Sequence, residues 1–163
     1  MKGDLYAFIS TEIKRRVSEI RKVDLNRGQL DQSSEVGLFP YALVDFGETQ
    51  YKDDGQGAQQ GICKVRVSVV QQDNALNVQS DIADEVVTRL LNFPNQIYLA
   101  LQDKSGGGNS SFEFTRAVEG DVIVQDDLLI YPIEFNVTLY DYSKRQEYIS
   151  GREIPPNTEM DIM

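Results

Sequence analysis

GICKVRVSVVQQDNALNVQSDIADEVVTRLL, residues Gly61–Leu91, decides the fold class. Its first part alternates. Cys63, Val65, Val67 and Val69 point one way, and Ile62, Lys64, Arg66 and Ser68 the other, which is the two-residue period of a half-buried strand. β-Branched valines suit such a pleated surface. Asp73–Asn77 is a polar turn. From Val78 the period lengthens, and Val78, Ile82, Val86, Val87, Leu90 and Leu91 form the apolar side of a helix expected over Val78–Asn92. Asn77 is placed to cap it, Asp81, Asp84 and Glu85 favour its positive end, and Pro94 is expected to stop it. The face carrying Lys64 and Arg66 is expected to be wet or to meet a partner.

Upstream, Leu5, Phe8, Ile9, Ile13, Val17 and Ile20 recur at helical spacing. They predict an amphipathic helix over Asp4–Val23 with Asp4 as N-cap. Lys14, Arg15, Arg16, Arg21 and Lys22 fall on its other faces. Residues 27–38 read as a polar loop. Tyr41–Phe46 is a short strand, with Tyr41, Leu43 and Asp45 on one face and Ala42, Val44 and Phe46 on the other. The Gly-, Gln- and acid-rich stretch 47–61 is either a hairpin extension or a loop.

Downstream, Ile97–Leu101 is an apolar run of undecided type, and 104–111 is a loop by composition. Phe112–Val118 and Leu128–Tyr142 are strands, the second with Leu129, Tyr131, Ile133, Phe135, Val137 and Leu139 on its inner face. Pro132 lacks an amide donor, so an edge or a bulge is expected there. The segment between these strands reads as a turn. This order predicts an α+β fold, an antiparallel or mixed sheet with two helices packed on one face. One domain is expected over residues 1–142, with an extended loop and a C-terminal arm over 143–163.

Composition narrows the chemistry. The 163 residues contain no histidine, which removes Ser-His-Asp and Cys-His catalysis and every His-ligated metal site. Cys63 is the single cysteine, so there is no intrachain disulfide, and its place in the strand pattern marks it as a core atom. No run of 18 apolar residues is present, so no transmembrane helix and no membrane partner are expected. The N-terminus lacks a signal-peptide core, and a protein made in a cytoplasm is expected.

The net charge of −10 is uneven. Residues 1–28 hold seven basic and four acidic groups, a balance of +3, and the remainder carries −13. An acidic body argues against duplex binding, which draws its affinity from Lys and Arg. A basic segment on an acidic body fits either head-to-tail contact between identical subunits or a plain solvated helix face. Asp53-Asp54 and Asp121, Asp126 and Asp127 are acidic clusters whose spacing matches no EF-hand, and turn chemistry accounts for them. The glycines of 104–111 lack the phosphate-loop order. Tyr131, Tyr140, Tyr142 and Tyr148 have no basic groove beside them and read as packing or interface residues. No catalytic residue, cofactor or metal site is expected, and the protein is read as a non-enzyme.

The amphipathic N-terminal helix, the PYALVDF strand at 40–46, the KVRVSVV strand at 64–70, the DIADEVVTRLL helix at 81–91 and the FNVTLYDY strand end at 135–142 together resemble tailed-phage tail-terminator and head–tail joining proteins. The resemblance covers roughly residues 1–142. It implies a virion structural protein forming a homo-oligomeric ring of six or twelve copies in the neck or at the end of the tail tube. Other neck, tail or portal proteins would be its neighbours, and DNA would pass through the lumen without being read. Expected interface residues are Lys14, Arg15, Arg21 and Lys22 of the first helix, Lys64 and Arg66 on the sheet, Asp53 and Asp54 in the 47–60 segment, and Tyr148, Ile149 and Ile154 in the tail. The alternative is a non-enzymatic bacterial adaptor or binding domain.

Overall fold

The computed structural model describes residues 1–28, 30, 39–55, 58–72, 80–102 and 110–142. The elements run α1 (Lys2–Arg16), β1 (Lys22–Leu25), β2 (Tyr41–Gly55), β3 (Ala58–Gln72), α2 (Ser80–Gln102), β4 (Ser110–Glu119), β5 (Ile123–Gln125) and β6 (Leu128–Asp141). The sheet is mixed and six-stranded, in the order β1-β2-β3-β6-β4, with β5 also pairing with β6. β1 is parallel to β2, and the other pairings are antiparallel. Both helices lie on one face, giving the expected α+β fold. The expected arm over 143–163 lies outside the described residues.

The core is the alternation made physical. Cys63, Val65, Val67 and Val69 of β3 are fully buried, as are Ile133, Phe135, Val137 and Leu139 of β6. Leu5, Ile9 and Ile13 of α1 and Leu90, Phe93, Ile97 and Leu101 of α2 close over them. Phe8 is half-buried and lies against Phe112 and Phe114 of β4, with both ring centroids 5.8 Å away. A smaller apolar cluster, Tyr41, Leu43, Val70 and Ile130, sits on the opposite face at one end of the sheet.

Several expectations are corrected. The first helix ends at Arg16 rather than continuing to Val23. Val17 and Ile20 stay in the core from a turn in which Ile20 N donates to Val17 O at 3.0 Å. Lys22 and Val23 belong to β1, whose parallel pairing with β2 outweighs continuation of the helix. The three- and four-residue apolar spacing survives the turn, so the periodicity runs on after the helix has ended.

Pro94 does not stop the second helix, which continues to Gln102 and includes the undecided run at 97–101. A helix-interior proline costs about 3 kcal/mol. Burial of Ile97 and Leu101 beyond that point returns about 1.5–3 kcal/mol each. The buried stripe follows Leu90, Phe93, Ile97 and Ala100, so Val87 and Leu91, expected inside, are exposed at 42% and 51%. Val78 lies outside the described residues, as do the side chains of Ile82 and Val86.

The 47–61 stretch is the hairpin extension. β2 and β3 remain paired from Tyr41↔Val70 out to Gly55↔Ala58, with a register shift between Phe46 and Thr49. A Cβ at Gly61 would lie 2.8 Å from the Tyr51 ring on the neighbouring strand, so a larger residue there displaces that half-exposed ring. The segment before β6 holds β5 and then a tight Asp126-Asp127 connection, with Asp126 at φ 51°. Pro132 sits where β4 has ended and β5 has not begun, and Gly120 N donates to its carbonyl at 2.9 Å. The expected edge is this local gap beside Pro132, whose own strand carries no bulge, and a separate bulge lies in β4 between Arg116 and Val118.

The helix phase makes a direct prediction. Phe93→Ala lowers the unfolding free energy by about 3–5 kcal/mol, while Leu91→Ala stays within about 0.5 kcal/mol. Urea denaturation of the two variants checks the contrast.

Candidate interaction surface

One face of the sheet carries both helices, and among the described residues neither helix covers the opposite face. Across the middle of the open face, Asp45 of β2, Arg66 of β3 and Glu134 of β6 stand side by side in register. Arg66 Nε donates to Glu134 Oε1 at 3.0 Å, and its NH2 group bonds the same oxygen. Asn26 Nδ2 donates to Asp45 Oδ2 at 3.0 Å. A groove of about 350 Å³ runs over this row, walled on its apolar side by Val118, Ile123, Ile130 and Pro132. A second hollow, of about 330 Å³, continues from Asp45 and Arg66 to Gly47 and Lys64.

The apolar exposure on this face is substantial. Ile62 is 56% exposed, and Val118 and Ile123 about half. Val118 and Ile123 border the groove and Ile62 lies further along β3, beyond Lys64; exposed apolar side chains beside charge are the usual mark of a contact region. Lys64 is exposed as expected. Ser68 departs from the expected wet face, since it is buried where Leu43 and Pro132 flank it in register.

The expected basic helix face divides into two. Lys14 and Arg15 are exposed on α1, and Arg15 is paired with Glu12 at 2.6 Å, which Arg16 also meets at 3.0 Å. Arg21 lies beyond the helix and gives its amide to Pro40 O at 2.9 Å. Lys22 sits on β1, 3.2 Å from Asp24, which Arg27 reaches at the same distance. Lys22, Arg27 and Asp24 therefore form a compact cluster at the sheet margin and not a helix stripe.

Asp53 and Asp54 are exposed at the tip of the β2–β3 hairpin, where Asp53 Oδ1 accepts from Gly55 N at 3.0 Å. Among the described residues no group of three or more Cys, Asp or Glu is arranged to hold a metal ion. Cys63 is a buried free thiol that donates weakly to Gly47 O and Lys64 O, a core role as expected. Tyr131 is buried, and Tyr140 and Tyr142 stack nearly parallel with centroids 6.4 Å apart. Tyr148, Ile149 and Ile154 lie outside the described residues.

Sequence reasoning missed the contribution of β4 and β5 to the groove. Val118, Ile123 and Pro132 are brought together only by the β4–β5 break, and no local pattern announces it. Arg116 of β4 also lies over the Tyr98 ring of α2 at 4.3 Å, pinning this margin of the sheet to the helix layer.

Two carboxylates are held below their ordinary range. For Glu12 the hydrogen bond from Arg15 leads, with the Arg15 and Arg16 charges adding to it against partial burial. For Asp24 burial pushes upward and is outweighed by Lys22, the Leu25 amide and Arg27. Burial foremost raises the phenols of Tyr51 and Tyr131. A carboxylate whose folded pKa lies below its unfolded value stabilises the fold at neutral pH, and that contribution is lost as pH falls through the folded value.

Glu12→Gln is therefore expected to be less stable than the parent at pH 7. The gap closes progressively below about pH 5, as the parent's own carboxylate protonates. Thermal unfolding of both proteins from pH 7 to pH 3 measures this. Arg66→Ala, at an exposed pair, changes the unfolding free energy by less than about 1 kcal/mol. No protein-family model matches this chain, and no curated protein matches it.

Proposed function

We propose that this protein is a non-enzymatic structural subunit of a tailed-phage virion, assembling into a homo-oligomeric ring of six or twelve copies in the neck or at the end of the tail tube. The observation that carries the reading is the one-sided sheet. Its helices and main core occupy one face, while among the described residues the other presents exposed Val118 and Ile123 beside the Asp45–Arg66–Glu134 row, with Ile62 exposed further along β3. Such a surface suits a neighbouring protein.

The resemblance in element order adds support. So does the uneven charge, since a ring repeats one heterologous contact and needs unlike patches on opposite sides of a subunit. The acidic body also suits a lumen through which DNA slides without being held. Other neck, tail or portal proteins would contact the ring's two ends.

Native mass spectrometry and negative-stain microscopy of the purified chain test the reading, with a closed ring expected. A monomer at micromolar concentration would sink it and favour a bacterial adaptor domain. Removal of residues 144–163 is expected to leave a folded protein of lower oligomer mass, read by circular dichroism and native mass together. Unchanged oligomer mass would exclude a role for the tail in assembly.

A further inference from the structure

The hydrogen-bond alternation of the sheet determines which backbone groups are already used. Gly120 N donates to Pro132 O, so even-numbered residues of β6 turn their amide and carbonyl toward β4, and odd-numbered ones toward β3. Carried through the registers, Ser111 and Glu113 of β4 face β6, and Gln50 and Lys52 of β2 face β3. The backbone groups of Thr49, Tyr51 and Asp53 on β2 therefore point out of the sheet. So do those of Ser110, Phe112 and Phe114 on β4. The same alternation accounts for Val44 accepting from Asn26 N on the β1 side, before the β2 register shift.

β1 covers β2 only over Tyr41–Val44. Among the described residues no strand pairs with the outer edge of β2 from Thr49 to Gly55, or with the outer edge of β4. These two edges lie on opposite margins at the same height. Thr49, Cys63, Val137 and Phe114 form one row across the sheet. Tyr51, Gly61, Leu139 and Phe112 form the next, and Asp53, Gln59, Asp141 and Ser110 the third. β2 and β4 run in opposite directions, and Thr49, Tyr51 and Asp53 of β2 and Phe112 and Phe114 of β4 carry their side chains on the helix side of the sheet.

We propose that successive copies of this chain join edge to edge, with β4 of one antiparallel to the distal half of β2 of the next. Thr49 then opposes Phe114, Tyr51 opposes Phe112 and Asp53 opposes Ser110. Height, direction and side-chain face match over Thr49–Asp53 and Ser110–Phe114 without a shift along the strands. The contact is heterologous, so its repetition generates a ring when the rotation closes. On the open face Lys52 becomes the diagonal neighbour of Glu113 in the adjoining copy, an attractive pairing. Glu48, Asp53 and Asp54 on the free edge oppose indiscriminate strand addition. The proposal rests on the ring reading above and specifies how that ring is held.

The test is an engineered disulfide in the full chain. Gln50 and Glu113 would form a non-hydrogen-bonded cross-strand pair between copies, with Cβ atoms about 4.5–5.5 Å apart. Within one copy they are three strand spacings apart, about 14 Å. Gln50→Cys/Glu113→Cys is expected to give a ladder of covalent oligomers under mild oxidation. Tyr51→Cys/Glu113→Cys, whose side chains point to opposite faces, gives none, and the parent with Cys63 alone sets the baseline. Tyr51→Pro removes one outward amide, a change edge strands tolerate, and is expected to keep the parent circular dichroism while losing the ring.

Rings on native mass without a Gln50→Cys/Glu113→Cys ladder overturn the edge-to-edge contact and leave the ring reading standing. A ring that persists in folded Tyr51→Pro overturns it as well. A monomeric parent with no ladder overturns both.

Discussion

The pairing of β3 with β6 is the constraint on which the rest of the structure depends. The two strands stay in register over fourteen consecutive residues, Gln59↔Asp141 to Gln72↔Leu128, without a bulge. Their inner faces supply much of the sheet's share of the core. A slip of one residue would turn that whole set to solvent and bring Lys64, Arg66 and Glu134 beneath the helices. Both helices, and β2 and β4 on either side, take their positions from this register.

One-sided packing has a direct consequence for the surface. Because α1 and α2 cover the same face, the outer face is left to a small apolar cluster at one end, the Asp45–Arg66–Glu134 row and the groove beside it. Irregularities in the sheet then shape that face. The β4 bulge, Gly120 and the donorless Pro132 break the β4 edge and seat β5, which carries Ile123 to the groove wall. Added side-chain volume at Gly120 would meet the Pro132 ring, with a Cβ 2.8 Å from Cγ, so the break depends on that glycine.

Much of this was legible in residues alone. The faces of β3 and β6 followed from strict alternation, and Cys63 from its place within it. The start of β2 was readable from its short apolar run Tyr41–Val44 after Pro40, and the two-residue period then assigned its two faces, both of which are buried there. The Lys64 and Arg66 face was legible as solvent-side, while the partners Arg66 would find were not. Glu134 lies 68 residues away and meets Arg66 only through the β3–β6 register.

Residue order alone specifies a set of amphipathic surfaces: a valine-rich strand, a long alternating strand, and two helices with apolar stripes. Where those elements stop depends on long-range contacts. Val17, Ile20 and Val23 keep a helical spacing although the helix ends at Arg16, because a parallel partner in β2 offers Lys22–Leu25 hydrogen bonds that no local signal reveals. Pro94 stays inside α2 because the core beyond it buries Ile97, Ala100 and Leu101. The hairpin runs to Gly55 because β3 and β6 extend alongside it, despite the weak strand propensity of its Gly, Gln and Asp residues. In each case a long-range contact worth several kcal/mol overrides a local preference worth one to three.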